Sequence, residues 1–191
     1  MKFRQLAENE IQNWYEKELL EAFAPQECKP LEDIRKLMAE GRYEIWGLVD
    51  GDELLGYATL WMAPGIPLVL LDYLGVTAKR RSSGLGAEIL QRLKAQGRAM
   101  VLESEEVIPG GDPEENHIRS RRIAFYKRNG FEPVYRMATC GMAWQAMLYD
   151  PSGTSLDKIM NYHRKLYGSE RSDVEVPLPQ GREPKMPYWM K

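Results

Sequence analysis

The chain has 191 residues, of which 43% are hydrophobic and 28% are charged, a balance typical of a globular protein rather than a disordered one. Its formal net charge of −2 argues against a general nucleic-acid binder, which would carry an excess of lysine and arginine. No apolar run approaches the roughly 18 residues of a membrane span, and two cysteines with no apparent secretory signal predict a reducing, cytoplasmic setting.

The first part of the chain mixes strand patterns with helical ones. In order, we predict a strand in residues 1–7, a helix over 8–23, a helix over 31–39 that ends at Gly41, and a β-hairpin over 43–62. The pair Asp50-Gly51 marks the hairpin turn. Residues 67–76 are almost continuously apolar, which predicts a central strand covered on both faces.

The next part alternates helices and strands and then ends in two strands. We predict a helix from about Gly84, a strand over 98–106, a loop over 107–116, a helix over 117–129 with Gly130 at its C′ position, and closing strands over 132–138 and 142–150. Strands before helices, then alternation, then a final hairpin predict an α/β protein with a mixed sheet and helices on both faces.

The composition changes after Pro151. Residues 155–168 predict a short C-terminal helix with Ser155 as N-cap, and residues 169–191 predict an extended tail with four prolines. We therefore divide the chain into a core domain, residues 1–150, and an appendage, residues 151–191. The apolar end "MPYWM" predicts docking on this protomer or on a second one, which leaves a homodimer open.

A glycine-containing loop follows the central strand. Arg81 to Gly86 reads R-x-x-G-x-G between a strand and a helix, where backbone N–H groups and the helix N-terminus favour a bound phosphate. It does not match the dinucleotide fingerprint, because the third glycine would fall at Ile89. About forty residues later stands "RRIAFYKRNGF", with Tyr126 near the end of a predicted helix.

With these two motifs in this order, residues 1–150 resemble the GNAT superfamily of acyl-CoA-dependent N-acyltransferases. The family's [QR]-x-x-G-x-[GA] loop matches residues 81–86, and its F/L-Y-x-[KR]-x-G-F element matches residues 125–131. The resemblance implies a mixed, mostly antiparallel twisted sheet of about seven strands flanked by helices. It also implies acetyl-CoA as the co-substrate, without a metal.

The resemblance assigns roles to particular residues. The residues that would contact the cofactor are Leu74, Gly75 and Val76 along the pantetheine arm, and Arg81, Ser82, Ser83, Gly84, Leu85 and Gly86 at the pyrophosphate. Tyr126 would be the acid that protonates the thiolate, and Glu103 the base. Glu105 shares the strand face of Glu103, and Asp72 is a third carboxylate. The alternatives are an exposed strand end for the acids and a core position for Tyr126.

Other features of the chain bear on the acceptor and on rival sites. Arg119 stands where the family often has an asparagine. His117 and His163 lack partners at metal-ligand spacing, and Cys140 is interpreted as a strand cysteine. Six acids favour a cationic acceptor: Glu103, Glu105, Glu106, Asp112, Glu114 and Glu115.

The leading hypothesis is a soluble N-acetyltransferase that moves the acetyl group of acetyl-CoA directly to a primary amine of a small cationic molecule. The alternative is a non-catalytic acyl-CoA-binding module with a protein partner. A third, nucleic-acid binding through the arginine-rich helix, is disfavoured by the net charge. No membrane association is expected.

Overall fold

The computed structural model describes residues 1–24 and 27–187. The chain divides into two compact units: the first consists of residues 1–64 and 71–97, and the second of residues 65–70 and those from 98 onward. Within the described ranges no helix is both long and apolar enough to cross a membrane.

The first unit contains the N-terminal strands and helices. Its elements are β1 (Lys2–Gln5), α1 (Glu8–Trp14), a π-helical turn (Tyr15–Leu19), α2 (Leu20–Ala22), α3 (Leu31–Ala39), β2 (Tyr43–Asp50), β3 (Glu53–Trp61), the end of β4 (Leu68–Val76), a 3-10 turn (Ala78–Arg80) and α4 (Leu85–Lys94). The strand order is β1-β2-β3-β4, with β1/β2 and β2/β3 antiparallel.

The predicted hairpin is β2–β3, but its turn lies one residue later than expected. Asp50 pairs with Glu53 as the last strand residue, so the turn residues are Gly51 and Asp52. Gly51 has φ +58°, the left-handed conformation that glycine adopts without steric cost. The prediction of Asp50-Gly51 as the turn was wrong because strand β2 continues through Asp50, which pairs with Glu53.

The core of the first unit brings β3 and β4 close together. Helix α4 buries one apolar stripe, Ile89, Leu90 and Leu93, as its spacing predicts. A Cβ at Gly75 would lie 2.3 Å from the ring of buried Tyr57, and one at Gly56 would lie 2.9 Å from the carbonyl oxygen of Gly75. Both glycines are therefore required by packing.

The second unit contains the remaining strands. Its elements are the start of β4, β5 (Ala99–Glu105), α5 (Pro113–Arg128), β6 (Glu132–Thr139), β7 (Met142–Tyr149) and α6 (Leu156–Leu166). The strand order is β4-β5-β7-β6; β4 and β5 pair in parallel over Leu68–Leu70, and β5/β7 and β6/β7 are antiparallel. Seven strands occur in the described residues, which confirms the predicted mixed, mostly antiparallel sheet.

Helix α5 begins earlier than predicted. Residues 113–116 were expected to be loop, but the Asp112 side chain accepts hydrogen bonds from the backbone N–H groups of Glu114 and Glu115, both at 2.9 Å, and Pro113 takes the first helical position. The aspartate satisfies two of the four N–H groups that a helix start leaves unpaired. Asp-Pro is a helix-start signal, so the predicted start at His117 was wrong.

The C-terminal segment packs on its own unit. Ser155 occupies the N-cap position of α6, but its side chain makes no capping hydrogen bond. Beyond α6, Glu175 exchanges two backbone hydrogen bonds with Ala138 of β6, and Leu178 N–H donates to the Arg136 carbonyl oxygen at 2.8 Å. Val174 and Leu178 are buried.

Two predictions about the C-terminus, the docking of its apolar end and the domain boundary at residue 150, are not settled by the described residues. In "MPYWM", residues 188–190 lie outside the described residues, whereas Met186 contacts Gly141. The division at residue 150 stays a prediction.

Candidate functional site

The predicted phosphate loop lies in the first unit, between the 3-10 turn and α4. Ser82 and Gly84 have φ +62° and +83°, so two residues of the loop are left-handed, whereas Arg81 before them is extended, with φ −59° and ψ 150°. Left-handed residues in a turn are a common feature of anion-binding backbone concavities. Gly84 is the N-cap of α4, whose first N–H groups have no acceptor inside the helix.

The surroundings of this loop fit a pyrophosphate. Residues 81–84 are exposed, and Lys79, Arg80 and Arg81 place three cations beside them. Arg80 pairs with Glu53 at 3.0 Å, which holds that guanidinium at the protein surface. Among the described residues, and apart from its chain neighbours and the backbone of its own helix, Gly84 has no heavy atom within 4 Å of a Cβ built on it, so the backbone is open to a ligand there.

Strand β4 leads into this loop. Leu74, Gly75 and Val76, the predicted pantetheine contacts, are all half-buried at its end. The Thr77 N–H that follows donates to the Leu55 carbonyl oxygen at 3.0 Å. The assignment of these three residues to the pantetheine arm stays a prediction.

Asp72, also on β4, belongs to a cluster of side chains of which only Asp72 itself was predicted from the sequence. The Lys29 ammonium lies 2.8 Å from both carboxylate oxygens of Asp72, and the Tyr43 hydroxyl donates to Oδ2 at 2.5 Å. The same ammonium lies 4.6 Å from the ring centroid of Trp61 and 5.4 Å from that of Tyr73. The sequence offered Asp72 as a lone carboxylate, and no local pattern links it to a lysine 43 residues earlier.

Tyr126 lies in the second unit, in the last turn of α5. The helix ends as predicted, with Gly130 at φ +84°. Phe131 N–H donates to the Tyr126 carbonyl oxygen at 3.1 Å, and Gly130 N–H donates to that of Lys127 at 3.0 Å. This is the Schellman arrangement. The Tyr126 carbonyl oxygen accepts the first of these hydrogen bonds and another from Asn129 N–H at 3.0 Å, so the backbone of Tyr126 is held without its side chain.

The Tyr126 phenol suits a proton donor. The half-buried ring packs edge-on against Phe125 and Phe131, with centroids 5.2 and 6.0 Å away. Burial raises the pKa of Tyr126 to about 12, against the opposing effect of the Arg122 cation. The hydroxyl has no hydrogen-bond partner among the described residues, so its proton is not committed to any of them.

Glu103 on β5 belongs to a buried polar network with α6. One of its carboxylate oxygens accepts hydrogen bonds from the Tyr167 hydroxyl at 2.5 Å and from His163 Nε2 at 2.9 Å. The other ring nitrogen, Nδ1, lies 3.0 Å from the Tyr135 hydroxyl. A neutral imidazole with its proton on Nε2 satisfies every contact, because Tyr135 then donates to Nδ1. His163 is fully buried.

Glu105 lies in a different environment, although it shares the strand face of Glu103 as predicted. Its carboxylate lies 2.6 Å from the Arg122 guanidinium and 3.9 Å from that of Arg119. Arg119, at the position of the family's asparagine, also contacts Glu115 at 2.9 Å. The Glu105 carboxylate is therefore ion-paired with two guanidinium groups.

Other acids of the predicted cationic-acceptor set also have partners. Glu106 forms two hydrogen bonds to Arg136, both 2.6 Å, and Asp112 caps α5. Three of the six acids, Glu105, Glu106 and Glu115, are ion-paired with arginines, so part of their negative charge is compensated within the second unit.

Comparison with known proteins identifies a family domain. The family model of the acetyltransferase (GNAT) domain matches residues 41–133. A protein of Bacillus subtilis strain 168, "Putative acetyltransferase YjbC", is 29% identical over 163 residues, which cover 81% of this chain and 79% of that protein.

Solved structures share the fold. An aminoglycoside 6'-N-acetyltransferase complexed with coenzyme A has a TM-score of 0.60 at 18% identity, covering 78% of this chain and 96% of its own. A spermidine N-acetyltransferase chimera of SpeG from Vibrio cholerae and hSSAT has a TM-score of 0.59 at 11% identity, covering 78% and 95%.

Proposed function

The chain belongs to the GNAT superfamily and is an acyltransferase, and from this premise we propose that it moves the acetyl group of acetyl-CoA directly to a primary amine of a small cationic molecule. The observation that carries the proposal is the loop of residues 81–86. It combines two left-handed residues, a helix N-terminus and neighbouring cations on an exposed surface. We place the activity in the cytoplasm, in keeping with the free thiols of Cys28 and Cys140.

The loop accounts for binding of the co-substrate. Backbone N–H groups of Ser82 to Gly86 would hold the pyrophosphate, and Arg81 would add its charge. When bound, acetyl-CoA supplies a thioester whose acetyl carbon accepts the amine. Main-chain groups of Leu74, Gly75 and Val76 would hold the pantetheine arm and the acyl carbonyl.

Tyr126 would supply the proton that the leaving thiolate needs. With a pKa of about 12 it remains mostly a phenol up to about pH 11, which lies above the pKa of about 10.4 of an alkylammonium. Its hydroxyl is uncommitted among the described residues, as a donor to a ligand should be.

Glu103 is the better of the two predicted bases. Glu105 forms ion pairs with Arg122 and Arg119, so its carboxylate is already engaged by two guanidinium groups. Glu103 accepts hydrogen bonds from His163 and Tyr167, two groups that can be neutral. We therefore assign proton removal from the ammonium, directly or through water, to Glu103, and we regard Glu105 as a structural partner of α5.

The cationic acceptor is supported by the names of proteins that share the fold. Aminoglycosides and spermidine both carry amines that are protonated at neutral pH, and each is named as the substrate of a structural neighbour. Because these neighbours are less than 25% identical to the chain, they support the class of acceptor and not the individual molecule.

The test is release of free thiol. The purified chain is incubated with acetyl-CoA and, in turn, spermidine, an aminoglycoside and n-butylamine, with a reaction lacking amine as the control. Amine-dependent thiol release with an acetylated product is expected. Tight binding of acetyl-CoA without turnover on any amine of a broad panel would instead indicate an acyl-CoA-binding module.

A further inference from the structure

The Asp72 cluster of the first unit already binds one alkylammonium group, that of Lys29. We propose that Asp72 and the rings of Trp61 and Tyr73 form the ammonium subsite for the acceptor, and that Lys29 occupies it when no acceptor is bound. The inference rests on the proposed acetyltransferase function. It adds to it the location of the acceptor site and an internal competitor.

The cluster has the chemistry that a primary ammonium requires. Both carboxylate oxygens of Asp72 lie 2.8 Å from the Lys29 nitrogen, and two aromatic rings lie within cation–π distance. The Asp72 side chain is 11% exposed and that of Lys29 is 25% exposed. The ammonium is thus partly desolvated, where ion pairing and cation–π attraction are stronger than at a fully exposed site.

The anionic wall of this subsite is held independently of the lysine. Asp72 is fixed on β4, and the Tyr43 hydroxyl donates to its carboxylate. The Tyr43 oxygen also lies 3.0 Å from Thr59 Oγ1, and Tyr73 N–H donates to the same threonine oxygen at 3.0 Å. Removal of the lysine ammonium would therefore leave a preformed carboxylate that lacks a cation.

The backbone of Lys29 is likewise fixed without its ammonium. The Tyr15 hydroxyl donates to the Lys29 carbonyl oxygen at 3.0 Å, and Lys29 N–H donates to the Tyr73 hydroxyl at 3.0 Å. The flexible four-carbon stem can therefore swing away while the segment before α3 keeps its place. This makes Lys29 a displaceable occupant of the site.

The position of Asp72 along β4 connects the subsite to the chemistry. Asp72 lies two residues before Leu74, where the proposed pantetheine contacts begin, and alternation puts both side chains on one strand face. At about 3.3 Å per residue the two Cα atoms are about 7 Å apart. A short alkylammonium held by Asp72 would thus lie near the strand segment proposed to hold the acyl group.

Calorimetry with n-butylammonium chloride tests the subsite without turnover. The titration is made on the wild type, Lys29→Met, Lys29→Met with Asp72→Asn, and Lys36→Met as the matched surface control. Because an internal competitor reduces apparent affinity by the fraction of open site, Lys29→Met should bind about tenfold more tightly than the wild type or the control. The double variant should lose this gain.

A measurement on the wild type covers the case in which a variant fails to fold. With ¹⁵N-labelled lysine, the Lys29 Nζ resonance should shift toward that of a solvated lysine as n-butylammonium is added. An unmoved resonance at saturating n-butylammonium, or equal binding by the wild type and Lys29→Met, would overturn the proposal and leave Lys29–Asp72 a structural ion pair.

Steady-state kinetics separate this inference from the proposed function. Lys29→Met should lower the KM for the amine and leave the KM for acetyl-CoA unchanged. If the chain transfers acetyl groups to amines but Lys29→Met leaves the KM for the amine unaltered, the proposed subsite is refuted and the proposed acetyltransferase function is supported. If Lys29→Met binds n-butylammonium more tightly, the double variant loses this gain, and no amine is acetylated, the ammonium site is supported and the proposed function is overturned.

Discussion

Replacing Tyr126 with Phe should separate catalysis from folding. The substitution removes a hydroxyl that has no partner among the described residues and keeps the ring contacts with Phe125 and Phe131. The free energy of unfolding should change by no more than about 0.5 kcal/mol, and acetyl-CoA affinity should stay the same. Turnover should fall about 10²-fold or more, the usual effect of losing a positioned general acid.

The raised pKa of Tyr126 fixes the alkaline side of the pH profile. A phenol acts as an acid only while protonated, and a pKa of about 12 leaves about one molecule in 10⁴ ionised at pH 8. Wild-type kcat should therefore rise as the amine deprotonates and show no alkaline loss below about pH 11, provided the fold persists. A fall of 10² in kcat corresponds to about 2.7 kcal/mol of transition-state stabilisation.

The assay is thiol release at saturating acetyl-CoA and amine, beside thermal melting and calorimetry of acetyl-CoA. The matched control is Tyr162→Phe, a second half-buried tyrosine without a hydrogen-bond partner among the described residues. It should keep full turnover. Undiminished kcat in Tyr126→Phe, or an alkaline limb near pH 9 that this variant retains, would show that another group protonates the thiolate.

Four further substitutions test the loop, the packing and an ion pair. Gly84→Glu should weaken acetyl-CoA binding more than tenfold in calorimetry, and normal binding by this variant would exclude the pyrophosphate role of the loop. Gly84→Ala has open space around its Cβ but keeps φ +83°, so it should lower the free energy of unfolding by about 1 kcal/mol. Gly75→Ala should lose about 1–3 kcal/mol in denaturant unfolding, because its Cβ would lie 2.3 Å from the Tyr57 ring; unchanged stability would refute that contact. The hydrogen bond from Arg171 lowers the pKa of Asp173 to about 2, below its unfolded value of about 3.9. The pair therefore stabilises the folded state fully above about pH 4, and this stabilisation is lost as the pH falls toward 2. The free energy of unfolding of Asp173→Asn should be about 2.5 kcal/mol lower than that of the wild type at pH 7, and the two should become nearly equal at pH 2. A difference that persists at pH 2 would show that the Arg171–Asp173 ion pair is not its cause.

Local patterns were sufficient for most elements of the fold. The apolar stripe of α4, the alternation of the hairpin strands and Gly130 at the end of α5 each depend on neighbours a few residues apart, and each was predicted. The predicted start of α5 lies four residues too late, although its signal, Asp112 followed by Pro113 and two acids in the first turn, is local.

The long-range contacts of the candidate sites could not be predicted in the same way. His163 reaches Glu103 across 60 residues, and Lys29 reaches Asp72 across 43. Such pairs depend on how helices and strands pack, and a single sequence carries no record of that packing. His163 was considered only as a metal ligand, and its role as a hydrogen-bond partner of Glu103 emerged from the fold.

The backbone pairing of Glu175 with Ala138 has a consequence for self-association. β6 is the last strand in the order of the second unit, and an outermost strand normally offers unpaired N–H and C=O groups to another chain. Here the C-terminal segment already pairs with Ala138 and Arg136, so part of that edge is blocked from strand addition. A second chain could not add a strand at that part of β6, and shortening the chain before Glu175 would expose an aggregation-prone edge.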